Sequence, residues 1–278
     1  MLRIAITTGI IVLFGASMGD ASAAYVHGAP TSKPRSKPNP YVVGNFDTCD
    51  FSQWQDMQGP ESSFKIVRSP RVEGRCAAAI TVGPWAANGL VNPDADGAAL
   101  RFDSAPYGTD GHTVWIHFSA MLGTGYRATT GDWNYIAQWH NDKGWQQFGS
   151  QIPFEYSNLC WMVQAKNGQS RIEMRIVGGS SPRQRTIRVI GPRIRTNHWY
   201  DFLAKVTWSA DGGRGKVTWW LDGKRLYAKH VPTLFTRPDG SVSTVYFIED
   251  NYRRHASWDS TIYYDGTRIG GSRAAVGY

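Results

Sequence analysis

Lys216-Val217-Thr218-Trp219-Trp220-Leu221, then Asp222-Gly223, then Lys224-Arg225-Leu226-Tyr227-Ala228-Lys229 is the stretch that decides the fold class. Two runs rich in β-branched and aromatic residues flank an Asp-Gly pair. That dipeptide suits the tight turn of an antiparallel hairpin. Working outward, the same grammar recurs. Thr113-Val114-Trp115-Ile116-His117-Phe118-Ser119-Ala120 alternates, as does Arg171-Ile172-Glu173-Met174-Arg175-Ile176-Val177. Residues 185–190 and 199–208 read as further strands, the latter ending in the turn-rich Ser209-Ala210-Asp211-Gly212-Gly213. Twelve tryptophans, thirteen tyrosines and thirty glycines favour strands over helices. No amphipathic helix of useful length follows the N-terminus, and no internal repeat is present. Many short antiparallel strands in one domain predict an all-β sandwich or jelly roll. Two antiparallel sheets would pack face to face, and one would offer a concave polar groove to a polymer.

The N-terminus reads as a secretory signal over residues 1–23. Arg3 supplies the positive start, residues 4–14 the short apolar run, and Ala21-Ser22-Ala23 the small-residue cleavage site. Residues 24–41, rich in Pro, Ser and Lys, read as a linker. Residues 42–278 form the one expected domain. A secreted location follows, with no membrane span, because no later segment is apolar enough to cross a bilayer. The formal net charge of +8 suits an acidic partner. Nucleic acid is excluded by the lack of basic runs interleaved with aromatics and of zinc-knuckle or helix-turn-helix spacing. Of three cysteines, Cys49 and Cys76 lie in the N-terminal part of the domain and are the expected disulfide. Cys160, between Leu159 and Trp161, is the expected buried thiol.

Three strands carry candidate chemistry. In Trp133-Asn134-Tyr135-Ile136-Ala137-Gln138-Trp139-His140, alternation puts Gln138 beside His140. Trp133, Tyr135, Ala137 and Trp139 would form the opposite, core face. In Leu100-Arg101-Phe102-Asp103, Arg101 and Asp103 share a face, and the guanidinium fork suits a carboxylate. In the stretch from Val245 to Arg254, alternation aligns Tyr246, Ile248, Asp250, Tyr252 and Arg254. An arginine beside Tyr252 would favour its phenolate. Each strand alone could be an ordinary polar sheet face. Together they hold what β-elimination on a uronic acid needs. Gln138 and Arg101 would neutralise the sugar carboxylate, His140 or Tyr252 would take the proton, and Tyr252 would protonate the leaving oxygen. Asp103, Tyr246, Arg254 and Trp145 would bind substrate.

These motifs resemble the heparin lyase I-like and glucuronan lyase group of polysaccharide lyases and the related alginate lyases. Gln138-Trp139-His140 matches the group's Gln-x-His. Tyr246-Phe247-Ile248-Glu249-Asp250-Asn251-Tyr252-Arg253 is similar to its Tyr-Phe-Lys-x-Gly-x-Tyr, with Tyr252 at the catalytic tyrosine. Arg101-Phe102-Asp103 approximates Arg-x-Glu. Trp199-Tyr200-Asp201-Phe202, residues 219–223 and the ending Tyr263-Tyr264-Asp265-Gly266-Thr267-Arg268-Ile269-Gly270 also match. The resemblance implies a concanavalin A-like jelly roll acting on an acidic polysaccharide, as a monomer and without a cofactor. Glu249 and Asp250 depart from the pattern, and two acids at the cleft would repel an anionic polymer. Several relatives of this fold carry a structural calcium, for which Asp265 with Asn45 or Asp47 would supply oxygens. The spacing is no calcium loop, so no metal is assigned.

Two rivals use the same architecture. A glycoside hydrolase needs two carboxylates about 5–9.5 Å apart, and only Glu173, or Glu249 with Asp250, could be pressed into that role. A non-catalytic carbohydrate-binding or lectin-like protein would use Trp145 and Trp258 as stacking surfaces.

Overall fold

In the computed structural model, residues 38–84, 95–103, 107–130, 133–142, 157–180 and 185–278 are described. The expected signal segment, most of the linker and Trp145 lie outside them. Sixteen strands follow in order: β1 (Val42–Gly44), β2 (Asp56–Gln58), β3 (Phe64–Val67), β4 (Ala77–Val82), β5 (Ala95–Phe102), β6 (Thr113–Leu122), β7 (Asn134–Asn141) and β8 (Ser157–Lys166). They continue as β9 (Gln169–Ser180), β10 (Arg185–Arg193), β11 (Trp199–Thr207), β12 (Lys216–Leu221), β13 (Lys224–His230), β14 (Phe235–Thr236), β15 (Val245–Arg254) and β16 (Ser260–Gly270). One sheet has the order β13-β12-β11-β6-β16-β4-β3, with β1 also on β16. The second runs β10-β9-β8-β7-β15-β5-β2, and the short β14 joins β9 in parallel. Among the described residues no helix is long and apolar enough to cross a membrane.

The Asp222-Gly223 hairpin forms as its sequence predicts. Leu221 pairs with Lys224, and both loop residues take positive φ, 50° and 73°. That geometry matches the right-handed strand twist. Alternation in β12 sends Val217, Trp219 and Leu221 into the core.

The core forms where the two sheets face each other. Phe118 of β6 stacks on Phe202 of β11 at 4.6 Å, and meets Trp161 of β8 at 5.2 Å and Phe247 of β15 at 6.0 Å. Trp139 of β7 touches Phe247 and Trp208 at 5.3 and 5.1 Å. All six are fully buried. Burying such rings drives the sandwich together, at roughly 1.5–3 kcal/mol for each large apolar side chain. This packing also fixes the strands whose other face carries the polar residues below. Cys49 and Cys76 are disulfide-bonded, and Cys160 is a buried free thiol whose pKa burial pushes up to about 12.

The oxygens considered for calcium are engaged within the protein. Asp265 accepts backbone N–H bonds from Val72, Glu73 and Gly266 at 2.7, 3.0 and 2.8 Å. Asp47 accepts from Asn45 Nδ2 at 2.7 Å and from the Arg75 backbone at 3.0 Å. Among the described residues no cluster of three or more His, Cys, Asp or Glu side chains could hold a metal.

Candidate functional site

β15 lies between β7 and β5, so three of the motif strands are neighbours. Tyr246 pairs with His140, and Ile248 pairs with Gln138 on one side and Arg101 on the other. Paired residues point to the same face. The inward side of β15 is clear from its contacts. Phe247 is in the core, and Asn251 Nδ2 donates to the Ile80 and Ser260 carbonyls of the opposite sheet at 3.0 and 2.9 Å. Tyr246, Ile248, Asp250, Tyr252 and Arg254 therefore share the face turned away from the core, as alternation predicts.

Strand β7 departs from the expected pattern. Ala137 and Trp139 enter the core, yet so does Ile136. The register shifts between Tyr135 and Ala137 against β8, and between Glu249 and Tyr252 against β15. A bulge of this kind reverses the alternation beyond it. Trp133 and Tyr135 consequently leave the core face and stand beside Tyr252, at 5.1 and 6.0 Å between ring centroids. The Arg254 guanidinium stands 5.7 Å from the Trp133 ring. The expectation of Trp133 and Tyr135 as core residues is thus corrected: they add two rings to the candidate site.

The geometry around His140 is specific. Its Nδ1 lies 2.8 Å from the Asn141 carbonyl oxygen. A carbonyl only accepts, so Nδ1 carries the proton in the neutral ring and Nε2 keeps the lone pair. Burial lowers the His140 pKa, the Arg101 charge lowers it further, and the Asn141 bond opposes both. The imidazole is neutral at pH 7. The Tyr246 ring lies 5.2 Å from His140, with the Arg101 guanidinium 4.3 Å from its centroid. Burial raises the Tyr246 pKa, with Arg101 opposing, so the phenol keeps its proton. Arg101 Nη2 reaches Asp103 at 2.5 Å and Nη1 reaches Asp56 at 3.9 Å. Those partly exposed pairs contribute little stability, but they hold the guanidinium beside the two rings.

Gln138 is gripped at both ends of its amide. Ser157 Oγ donates to Oε1, and Nε2 donates to Asp250 Oδ2 at 2.5 Å. An amide nitrogen carries two N–H groups, so one remains for a ligand. Sequence reasoning missed Ser157, because which strand lies next to β7 is not written in local pattern. It also misjudged the two acids of β15. Glu249 points into the core, fully buried, where Thr267 Oγ1 donates to its Oε1. Asp250 is on the site face, and burial pushes its pKa up to about 8, with the Gln138 bond opposing. Neither acid presents a negative charge to a polymer at pH 7.

Tyr252 lies two residues from Asp250 along β15, and His140 two residues from Gln138 along β7. Each step spans about 6.6 Å. Gln138 stands opposite Ile248, one further step from Asp250, so about 20 Å of strand separates His140 from Tyr252, while the Tyr246 ring is the phenol beside the imidazole. Gly97 of β5 makes room for the Tyr252 phenol: a Cβ there would lie 2.4 Å from Tyr252 Cδ2. Gly97→Ala is expected to push the Tyr252 ring aside and to raise KM with kcat little changed. Unchanged kinetics in that variant would show that the ring's position does not matter.

The far end of the same face is basic. Buried Glu173 receives Arg188 Nε and Nη2 at 2.9 and 2.8 Å, and Arg175 Nη2 at 3.3 Å. Two guanidiniums thus share one buried carboxylate. The adjoining cleft is lined by Gln164, Lys166, Asn167, Gln169, Arg171 and Arg188. This arrangement removes the hydrolase pairing, since Glu173 is neutralised in place and Glu249 faces inward. Trp258 is no open stacking platform either. Its indole N–H donates to the Arg127 carbonyl at 3.1 Å, and the Arg127 and Arg253 guanidiniums lie 5.4 and 5.5 Å from its ring.

The family model described as polysaccharide lyase matches residues 46–268. Among solved structures, an endo-β-1,4-glucuronan lyase from the fungus Trichoderma reesei is similar, with a TM-score of 0.64 and 16% identity, covering 81% of this chain and 94% of that one. An alginate lyase, Aly36B, in complex with an alginate trisaccharide has a TM-score of 0.56 and 14% identity, covering 86% of this chain and 100% of that one. At these identities the structures establish a shared jelly-roll fold. No curated protein sequence matches the chain.

Proposed function

Because the chain belongs to the polysaccharide lyase family, we propose that it is an exported enzyme cleaving a uronic-acid polysaccharide by β-elimination. The observation that carries this reading is a neutral His140 with Nε2 free for a proton, two positions from an amide clamped by Ser157 and Asp250. The Gln138 N–H and the Arg101 guanidinium take the sugar carboxylate. With its charge neutralised, the proton on the adjacent ring carbon becomes acidic. His140 Nε2 removes it, and the electron pair forms the carbon–carbon double bond of the product. The glycosidic carbon–oxygen bond breaks, and the phenol of Tyr246, whose ring lies 5.2 Å from the imidazole, returns a proton to the leaving oxygen. Arg101, stacked on Tyr246, holds that ring beside His140, and donors aimed at the developing charge supply much of the rate.

Trp133 and Tyr135 offer stacking area beside Tyr252, and Lys166 and Arg171 in the cleft further along the face suit further uronates along the chain. The named substrates of the two similar structures, glucuronan and alginate, make an unsulfated polyuronate the favoured class over heparin-like chains. Export is supported by the N-terminal signal pattern and agrees with a disulfide, which persists in oxidising compartments.

The test is a panel of glucuronan, alginate and heparin, read by ultraviolet absorbance of unsaturated products. At least one polyuronate is expected to be cut, with KM rising as salt screens the arginines. Binding without unsaturated product across the panel would replace the lyase with a carbohydrate-binding protein.

A further inference from the structure

Asp250 has an unusual setting for an acid on a polyanion-binding face. It is 2% exposed, Oδ2 makes one hydrogen bond, to Gln138, and Oδ1 is buried without a partner among the described residues. Among the described residues the groups around it offer no nearby cation. Tyr135 and Gln138 face it from β7, Cys160 from β8, and Tyr246 and Tyr252 along β15. Arg101 is the nearest guanidinium on the β5 side, and it is engaged with Asp103 and Tyr246. Beyond Cys160, Arg175 is committed to Glu173. On the interior side lie Glu249 and Tyr264, whose hydroxyl donates to the Asp250 backbone carbonyl at 3.0 Å. An ionised carboxylate here would leave one charged oxygen buried and unpaired, which is strongly unfavourable.

We infer that Asp250 is a positioning residue of the carboxylate site: as an uncharged acid it holds the Gln138 amide toward the substrate, and its ionisation closes the site to an anionic sugar. The inference rests on the lyase reading above. Ser157 fixes one end of the amide and Asp250 the other, so the remaining N–H has a single direction. A charged Asp250 would still accept from Gln138 but would set a carboxylate against the sugar's own. Burial, the largest influence on Asp250, holds its pKa near 8, so the closure falls on the alkaline side of neutrality.

Asparagine is the uncharged isostere of the protonated acid, so the experiment compares wild type with Asp250→Asn from pH 6 to 9.5 on a polyuronate that wild type cleaves. Other ionisations cancel in the ratio of the two enzymes. The ratio of variant to wild-type kcat/KM is expected to rise about tenfold between pH 7 and pH 9, through KM. A flat ratio, or a change confined to kcat, overturns the inference. Carboxyl infrared bands give a readout that needs no turnover. Wild type should show a buried protonated carboxyl that disappears between pH 7 and 9, retained in Glu249→Gln. A carboxylate already ionised at pH 6 overturns the assignment. Absence of cleavage by wild type would defeat the lyase reading, while the infrared result would still decide the charge of Asp250.

Discussion

Replacing His140 with alanine is expected to lower kcat by about 10²–10⁴-fold, the range a positioned general base contributes. The fold should survive, because among the described residues the imidazole bonds only to its own neighbour's carbonyl and touches the Tyr246 ring. The core on the other side of β7, built from Ala137 and Trp139, is unaffected. Wild type should also show an acid limb set below the ordinary histidine range. Burial lowers the His140 pKa, so the base form persists to lower pH and activity falls only as pH drops through that lowered value. Circular dichroism and kcat measured side by side make the test. Normal turnover in a folded His140→Ala enzyme would move the base elsewhere, with Tyr246 next in line. Tyr246→Phe should lose most turnover as well, whereas Tyr252→Phe, beside Trp133 and Tyr135, should act mainly through KM.

Much of this arrangement was legible from period-2 alternation. It aligned Tyr246, Asp250 and Tyr252, set Gln138 beside His140, and paired Arg101 with Asp103. It went wrong where the period breaks. One extra residue near Ile136 reverses the faces, and nothing in Trp133-Asn134-Tyr135-Ile136-Ala137 announces it, since aromatic rings suit a core and a sugar platform equally. Ser157 was invisible for a different reason. Its role depends on β8 lying beside β7, a pairing across residues far apart in sequence. The two acids of β15 are the instructive case. Alternation alone separates Glu249 from Asp250, one inward and one outward, but charge was read from residue type without the burial that neutralises both.

Burial of Glu249 leads to the largest stability effect expected here. Its carboxyl is fully buried, with one hydrogen bond from Thr267, and its pKa is raised well above the ordinary value, chiefly by burial, with Asp265 and Asp250 adding to the rise. In the unfolded chain the group loses its proton near pH 4.3. Between that value and the raised folded one, the folded protein binds one proton more than the unfolded chain. Stability therefore falls as pH rises, by about 1.4 kcal/mol per pH unit for this group. Glutamine keeps an oxygen for the Thr267 hydroxyl and never ionises. Glu249→Gln should match wild type near pH 4 and grow steadily more stable than it toward neutrality. Each kcal/mol corresponds to roughly 2–4 °C in Tm for a domain of about this size. Asp250 and Asp265 also have raised values, so the difference between the two proteins, not either curve alone, isolates Glu249. A Tm difference that stays constant from pH 4 to 8 would mean that Glu249 is ionised in the native core. The sandwich would then have to supply it with a cation or with water.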